Sequence, residues 1–155
     1  MIWFLLVALI VIADQFIKYF IVSGVQIGEI AFSIFNLIDI TYVQNRGAAF
    51  SILSGNRVLL SLISIIFCIV VAIYWRWKKP QHKLLCTSLA MMFGGAAGNA
   101  IDRICHGYVV DYISTSFIDF PVFNLADIAI TVGAALLVIY FILFDKEDNN
   151  AKINN

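Results

Sequence analysis

The stretch VVDYISTSFIDFPVFNLAD, residues 109–127, contains one carboxylate near its start, Asp111, and another at its end, Asp127. The second carboxylate is followed at once by residues 128–144, a mostly apolar run without a charged residue. A carboxylate at the mouth of an apolar segment of membrane-spanning length is costly, and packing alone does not account for it. The stretch therefore predicts a transmembrane helix that begins at a functional acid.

The composition predicts a membrane protein. Of the 155 residues 62% are hydrophobic and only 13% are charged, whereas a soluble domain is about half apolar. The net charge is zero, so we expect no nucleic-acid partner. The three cysteines and two histidines are scattered and form no disulfide or metal-ligand spacing, so we expect no metal and no cofactor.

Apolar segments predict an all-α bundle of four transmembrane helices in a single domain over residues 1–155. The predicted spans are 2–22, 58–75, 84–104 and 125–144. At ~1.5 Å per residue such spans cross a hydrocarbon core of roughly 30 Å. The first span is interpreted as a retained helix rather than a cleaved signal, because no basic segment precedes it.

The charge distribution predicts the orientation of the bundle. Residues 76–83, RWKKPQHK, carry four positive charges, and the positive-inside rule assigns this hairpin to the cytoplasm. Both termini, including the polar tail 145–155, are then cytoplasmic, and residues 23–56 and 105–124 form extracytoplasmic loops. Within the first loop IDITYV, residues 38–43, alternates between apolar and polar, which predicts a small extracytoplasmic β structure.

Asp14 and Lys18 are four residues apart in the first span, the spacing at which a carboxylate and an ammonium pair on one helical face. One interpretation is a structural ion pair with Lys18 extended toward the membrane interface. The other is a role in shaping a functional site. The sequence leaves both open.

The third span contains GGAAG at residues 94–98, and small residues allow a neighbouring helix to approach closely, within the chain or in a dimer. Dimerisation would not account for the polar residues that follow, Asn99, Asp102 and Arg103. Polar residues inside a membrane helix are costly and indicate function. The segment QNRGAAFS, residues 44–51, is either a plain turn or an edge that grips an extended peptide.

Antiparallel packing of the four spans brings most of these polar residues, together with Asn124, toward one membrane face. Paired carboxylates there favour an aspartic protease. A small proton-coupled transporter would also carry intramembrane acids, although nearer the midplane and usually with internal repeats. A non-catalytic envelope protein would share the topology. The residues alone leave these three classes open.

The chain resembles the bacterial lipoprotein signal peptidase family, also called signal peptidase II. Five blocks of sequence carry the resemblance, in order along nearly the whole chain. They are Asp14-Gln15-x-x-Lys18, Asn45-x-Gly47-Ala48-Ala49-Phe50-Ser51, Gly94-Gly95-Ala96-x-Gly98-Asn99-x-x-Asp102-Arg103, Val109-Val110-Asp111-Tyr112 and Phe123-Asn124-x-Ala126-Asp127. The family usually has Phe at the position of Tyr112.

The resemblance implies an intramembrane aspartic endopeptidase of the bacterial cytoplasmic membrane with its active site at the extracytoplasmic face. It implies that prolipoproteins are cut on the N-terminal side of their diacylglyceryl-modified cysteine, without metal or cofactor, by a protein that contacts membrane lipid and that we expect to be a monomer. The implied catalytic residues are Asp111 and Asp127. The implied substrate-binding and supporting residues are Asp14, Lys18, Asn45, Gly47, Asn99, Asp102, Arg103, Asn124 and Ala126.

Asp102 competes with Asp111 for the first catalytic position, since it too is a carboxylate beside polar residues. We favour Asp111 on physical grounds. Adjacency to Arg103 is expected to keep Asp102 ionised and paired. Asp111 is expected to lie free in a loop that folds over the site.

Overall fold

The computed structural model of the chain describes residues 2–47 and 56–144. The elements in chain order are α1 (Ile2–Gly24), β1 (Ile30–Ile34), β2 (Ile38–Asn45), α2 (Arg57–Lys78), α3 (Lys83–Cys105), β3 (Val109–Thr115) and α4 (Leu125–Leu143). All four helices are long and apolar enough to cross a membrane, so the predicted bundle is confirmed. The predictions for residues 48–51 and for the tail 145–155 fall outside the described residues.

The small β structure is a three-stranded antiparallel sheet in the order β1-β2-β3. The predicted strand at 38–43 is confirmed as the larger part of β2. The predicted loop 105–124 contains a further strand, β3, which pairs along β2 with Asp111 opposite Val43. Residues 109–115 are rich in β-branched and aromatic side chains, which favour a strand wherever an unpaired edge is available.

Helix α3 is the most enclosed of the four and packs against each of the others. Its glycines make the close approach possible. A Cβ at Gly95 would collide with the carbonyl oxygen of Ala126 in α4, and a Cβ at Gly98 would lie 2.7 Å from Asp14 Oδ2 in α1. The glycines therefore serve packing within the chain, as small residues commonly do between membrane helices.

The last turns of α1 extend beside the sheet. Ile21 forms a buried apolar cluster with Tyr42 of β2 and with Val110 and Tyr112 of β3. Burial of such side chains contributes on the order of 1.5–3 kcal/mol each. The cluster fixes the sheet to the end of the bundle where α3 ends and α4 begins.

The opposite end of the bundle holds the α2–α3 hairpin and both ends of the described chain. The ring of Phe4 in α1 stacks on Trp75 in α2 with 6.0 Å between centroids. The ring of His82 lies 5.0 Å from Tyr140 and 4.8 Å from Phe144. The side chain of His82 is half-buried.

Candidate active site

Lys18 is the centre of a buried charged cluster between α1 and α3. Its Nζ lies 2.8 Å from Asp14 Oδ2 and 2.8 Å from Asp102 Oδ2, and it donates a hydrogen bond of 3.1 Å to Asn99 Oδ1. Lys18 is only 3% exposed. The predicted Asp14–Lys18 pair is confirmed, and the interpretation in which Lys18 extends toward the interface is wrong.

Asp102 is paired with Lys18 and not with Arg103, so the predicted pairing with its sequence neighbour is wrong. Consecutive residues of a helix point in different directions. Asp102 faces α1 and also accepts a 3.1 Å hydrogen bond from the backbone N–H of Val110. The Arg103 guanidinium instead donates to the backbone oxygens of Asn99 and Gly47, both at 3.4 Å.

The first turn of α4 is fixed by reciprocal capping. The Asn124 side-chain oxygen accepts from the N–H of Asp127 at 2.9 Å, and Asp127 Oδ2 accepts from the N–H of Asn124 at 3.2 Å. The N–H of Ala126 donates to Asp14 Oδ1 at 3.1 Å. Because unpaired N–H groups at a buried helix start are costly, these bonds determine where α4 begins and how Asp127 is directed.

Asp111 lies buried in β3, which contradicts the prediction that it lies free in a loop. The carboxylate is 1% exposed. Its Oδ1 accepts from Asn124 Nδ2 at 2.6 Å and its Oδ2 accepts from Asn45 Nδ2 at 2.8 Å. Strand pairing with β2 brings Asn45 to this position, and the cap of α4 brings Asn124.

Burial raises the pKa of Asp111 from 3.8 to about 7, and the negative charge of Asp127 adds to the effect. Hydrogen bonds from Asn45 and Asn124 act in the opposite direction but are weaker. Taking a carboxylate out of water disfavours its charged form, and a second carboxylate nearby disfavours it further. Asp111 can therefore carry a proton near neutral pH.

The two carboxylates are held by amides rather than by cations. Asp127 Oδ1 accepts from Asn99 Nδ2 at 2.8 Å, as Asp111 does from its two asparagines. Within residues 2–47 and 56–144 the ion pairs all involve Lys18, so neither Asp111 nor Asp127 has a described cation within 4 Å. The charge of each can change without breaking an ion pair.

Asp111 and Asp127 line the same cavity of about 1170 Å³. Its other wall is apolar and includes Phe120, Val122 and Ile130. The predicted site residues that also line it are Asn45, Gly47, Asn99 and Arg103. Those that lie behind it, bonded to its lining or to one another, are Asp14, Lys18, Asp102, Asn124 and Ala126. The structure thus brings all the predicted residues into one assembly.

Gln15 was not predicted as a site residue, yet it connects the charged cluster. Its Nε2 is within 3.2 Å of Asp14 Oδ2 and of the carbonyl oxygen of Gly98, and 3.0 Å from Asp102 Oδ1. An amide beside Asp14 in an apolar helix is itself a costly residue, and that signal could have identified it.

The hydroxyl of Tyr112 was also missed. It accepts a 3.2 Å hydrogen bond from the N–H of Leu125, the first residue of α4. The phenol is buried, which raises the pKa of Tyr112 to about 12, so it remains neutral. With Asp14 and Asn124 it completes the pairing of the first three N–H groups of α4.

Comparison with known proteins gives a family for this arrangement. The sequence model of the family described as "Signal peptidase (SPase) II" matches residues 6–143. The lipoprotein signal peptidase of Lactobacillus johnsonii is 44% identical over 140 residues, which cover 90% of this chain and 91% of the relative. That of Lactococcus lactis subsp. lactis is 42% identical over 137 residues, which cover 88% and 90%.

Two solved structures have the same fold, and both are described as bacterial membrane enzymes determined by the in meso method. The one at 2.3 Å resolution superposes with a TM-score of 0.86 and 35% identity, covering 90% of this chain and 87% of the other. The one at 1.9 Å resolution gives 0.82 and 36%, covering 92% and 93%. Because sequence and structure both match from α1 to α4, across both carboxylates, the chain belongs to the signal peptidase II family.

Proposed function

We propose that this chain is an aspartic endopeptidase that removes signal peptides from prolipoproteins, cutting on the N-terminal side of a diacylglyceryl-modified cysteine. The observation that carries the proposal is the pair Asp111 and Asp127. The two carboxylates come from different elements, line one cavity, and have amide donors but no described cation in contact. The substrate class follows from the relatives, which are lipoprotein signal peptidases.

Shared protonation of the pair is the basis of the mechanism. Two neighbouring carboxylates cannot both ionise without a large free-energy cost, so one of them keeps a proton, as in the carboxylate pairs of aspartic proteases. Burial and the charge of Asp127 raise the pKa of Asp111 to about 7. The pair therefore holds one proton near neutral pH, and that proton belongs to the pair rather than to one residue.

Hydrolysis follows from one ionised and one protonated carboxyl. The ionised member takes a proton from a water molecule, whose oxygen attacks the carbonyl carbon of the scissile peptide bond. The protonated member donates a hydrogen bond to the carbonyl oxygen and then its proton to the leaving amine. Asn99 and Asn124 keep the two carboxyls in position for this transfer.

Arg103 and the Asn45–Gly47 turn are proposed to hold the substrate backbone and the negative charge that develops on it. Arg103 lines the cavity, and its guanidinium contacts the Gly47 oxygen at 3.4 Å. The turn is fixed because the N–H of Gly47 donates to the Asn45 side-chain oxygen at 2.9 Å. These contacts connect α3 to the end of β2 at the edge of the cavity.

The site is proposed to face the extracytoplasmic side of the bacterial cytoplasmic membrane. The end of the bundle opposite to the dyad carries the four cations of the hairpin 76–83, which favour a cytoplasmic position for that hairpin and both termini. The diacyl chains of a substrate can then stay in lipid while its peptide bond reaches the sheet end of the helices. We propose a monomer, because the small residues of α3 that could form a dimer face pack against α1 and α4 of the same chain.

The test is cleavage of a diacylglyceryl-modified prolipoprotein by the wild type and by Asp111→Asn, Asp127→Asn, Asp102→Asn and Asp119→Asn. Unfolding is measured on every variant. Asp111→Asn and Asp127→Asn should fold and lose cleavage by roughly 10²–10⁴-fold or more. Asp119→Asn is the matched control, because this exposed carboxylate lines the same cavity and its loss should leave cleavage nearly unchanged.

Asp102→Asn tests the competing assignment. Because Asp102 pairs with Lys18 behind the cavity, its substitution should reduce stability more than the chemical step. If Asp111→Asn cuts normally and a folded Asp102→Asn does not, Asp102 takes the catalytic role. If the wild type cuts no prolipoprotein, the proposed function is wrong and the transporter alternative returns.

A further inference from the structure

A second cavity, of about 650 Å³, lies at the end of the bundle opposite to the dyad. We refer to it as the hairpin-end cavity. It lies among α1, α2, α3 and the α2–α3 hairpin. Its lining within the helices is apolar and includes Val7, Ala72 and Phe93, and its lining at the hairpin, which we call the rim, includes Arg76, Lys79 and Gln81. One cavity thus passes from a cationic rim to an apolar interior.

The two cations of the rim have no carboxylate partner within residues 2–47 and 56–144. None of the acidic residues in those ranges lines this cavity. Arg76 lies in the last turn of α2, where a positive charge also complements the helix dipole. Lys79 follows the last residue of the helix, so stabilisation by the helix dipole explains a positive charge there less well. The rim therefore attracts an anion.

Lys79 ends α2 in a left-handed backbone conformation. Lys79 has φ 46° and ψ 55°, a left-handed conformation that costs a residue with a Cβ roughly 1–2 kcal/mol and is cheap for glycine. The conformation is held by the Lys79 N–H on the Trp75 oxygen at 3.2 Å and by Gln81 Nε2 on the Lys79 oxygen at 2.8 Å. The turn places Lys79 among the residues that line the cavity.

Aromatic side chains indicate the depth of the rim. Trp3 and Trp75 both line the hairpin-end cavity, and tryptophan is enriched at the level of the lipid headgroups. Phe93 lies ten residues along α3 from Lys83, which at ~1.5 Å per residue is about 15 Å into the bundle. The cationic rim is thus at headgroup level and the apolar wall at the level of the acyl chains.

We propose that the hairpin-end cavity binds one anionic phospholipid, with its phosphate held by Arg76 and Lys79 and one acyl chain against Val7 and Ala72. The apolar interior favours a lipid over free phosphate. Cationic residues at a membrane surface attract anionic headgroups, and the cavity adds a specific place for one of them. The proposal concerns the end away from the dyad and does not depend on the proposed catalytic function.

The tryptophans provide a direct measurement. The chain has three, Trp3, Trp75 and Trp77, and all lie at this end of the bundle. In a Trp77→Phe background the full chain is placed in phosphatidylcholine vesicles that contain increasing brominated phosphatidylglycerol or brominated phosphatidylcholine, and quenching of fluorescence is measured. Phosphatidylglycerol should quench at a lower lipid fraction than phosphatidylcholine, and added inorganic phosphate should not reverse the quenching.

Paired variants separate a site from general surface charge. Arg76→Gln with Lys79→Gln should lower the preference for phosphatidylglycerol by roughly fivefold per cation. Lys78→Gln with Lys83→Gln removes the same charge from the same hairpin, outside the cavity, and should lower the preference reported by Trp3 and Trp75 clearly less than the first pair does.

Three results would overturn the proposal. The first is an equal loss of preference in both double variants, which would mean diffuse surface charge. The second is reversal of the quenching by inorganic phosphate. The third is that the full-length wild type shows no preference for phosphatidylglycerol, whereas a chain cut after Phe144 does. In that case the acidic residues of the tail would be what occupies the cavity.

Discussion

Replacing Lys18 by Met would leave two buried carboxylates without their common cation. The Lys18 ammonium lies 2.8 Å from an oxygen of Asp14 and 2.8 Å from an oxygen of Asp102. Both carboxylates are almost completely buried, at 0% and 1% exposed. Met keeps most of the volume and the apolar stem of the lysine, so the substitution removes charge with little change in packing.

The size of the effect distinguishes two roles for Lys18. Removing one partner of a buried ion pair costs about 3–5 kcal/mol because the other charge is left uncompensated. Losing only the hydrogen bond to Asn99 would cost less, since interhelical hydrogen bonds in membrane proteins average roughly 0.6 kcal/mol. Gln15 remains as a donor to both Asp14 and Asp102, so we expect the lower end of the ion-pair range, about 3 kcal/mol.

The free energy of unfolding can be measured by titration with sodium dodecyl sulfate in mixed micelles. The readout is modification of Cys86, whose thiol is buried in the folded state. A Cys68→Ser, Cys105→Ser background removes the other two thiols of the chain, one half-buried and one exposed. Lys83→Met is the matched control, because this exposed lysine at the start of α3 has no ion-pair partner within the described residues, and its loss should change stability by less than about 0.5 kcal/mol.

A second variant identifies the cause of the loss. Adding Asp102→Asn to Lys18→Met removes one of the two uncompensated charges and should restore part of the lost stability. A loss below about 1 kcal/mol in Lys18→Met, or the absence of any recovery in the double variant, would refute the view that Lys18 neutralises the cluster.

Three further outcomes follow from Asp111 and from the packing of α3. Wild-type kcat/KM for prolipoprotein should fall as pH rises above about 7, where Asp111 loses its proton and the proposed dyad would lose the proton it shares. A profile that stays flat well above that pH contradicts the shared proton. Because burial raises the pKa of Asp111 from 3.8 to about 7, the stability it contributes is fully present below pH 3.8 and declines as pH rises through 7. The free energy of unfolding of Asp111→Asn, relative to that of the wild type, should therefore rise by ~2–3 kcal/mol between about pH 5 and about pH 8. It is measured by the same detergent titration, and a pH-independent difference would be evidence against the raised pKa. Gly95→Ala should lose about 1–3 kcal/mol, since its Cβ would meet the Ala126 carbonyl, while Gly24→Ala, with open space around it, should be nearly neutral.

The four helices were predictable because the bilayer allows few alternatives. A segment that crosses lipid must pair its backbone groups internally, so apolar length alone identifies a helix. Strand β2 was predictable where it alternates. Strand β3 was not, because residues 109–112 are buried on both sides and a strand buried on both faces lacks alternation. Asp111 within it further resembled a loop residue.

The chemical character of the site was more predictable than its contacts. Polar residues in lipid are costly, so those in the spans could be selected from the sequence. Their partners depend on how closely α1 approaches α3, which is set by Gly98 against Asp14. Proximity in sequence suggested Arg103 as the partner of Asp102, whereas proximity in space provides Lys18.

The assembly separates fixed charge from variable charge. Lys18, Asp14 and Asp102 form the charged cluster, whose ion pairs hold α1 against α3. The carboxylates of the proposed dyad are bonded to amides instead. Asn99 connects the two, since its oxygen accepts from Lys18 and its nitrogen donates to Asp127. An ammonium in direct contact with Asp127 would favour its ionised form and would oppose the shared proton on which the proposed hydrolysis depends. An amide does not titrate near neutral pH. Asn99 can therefore connect the charged cluster to Asp127 and orient the Asp127 carboxyl without fixing the charge of that carboxyl.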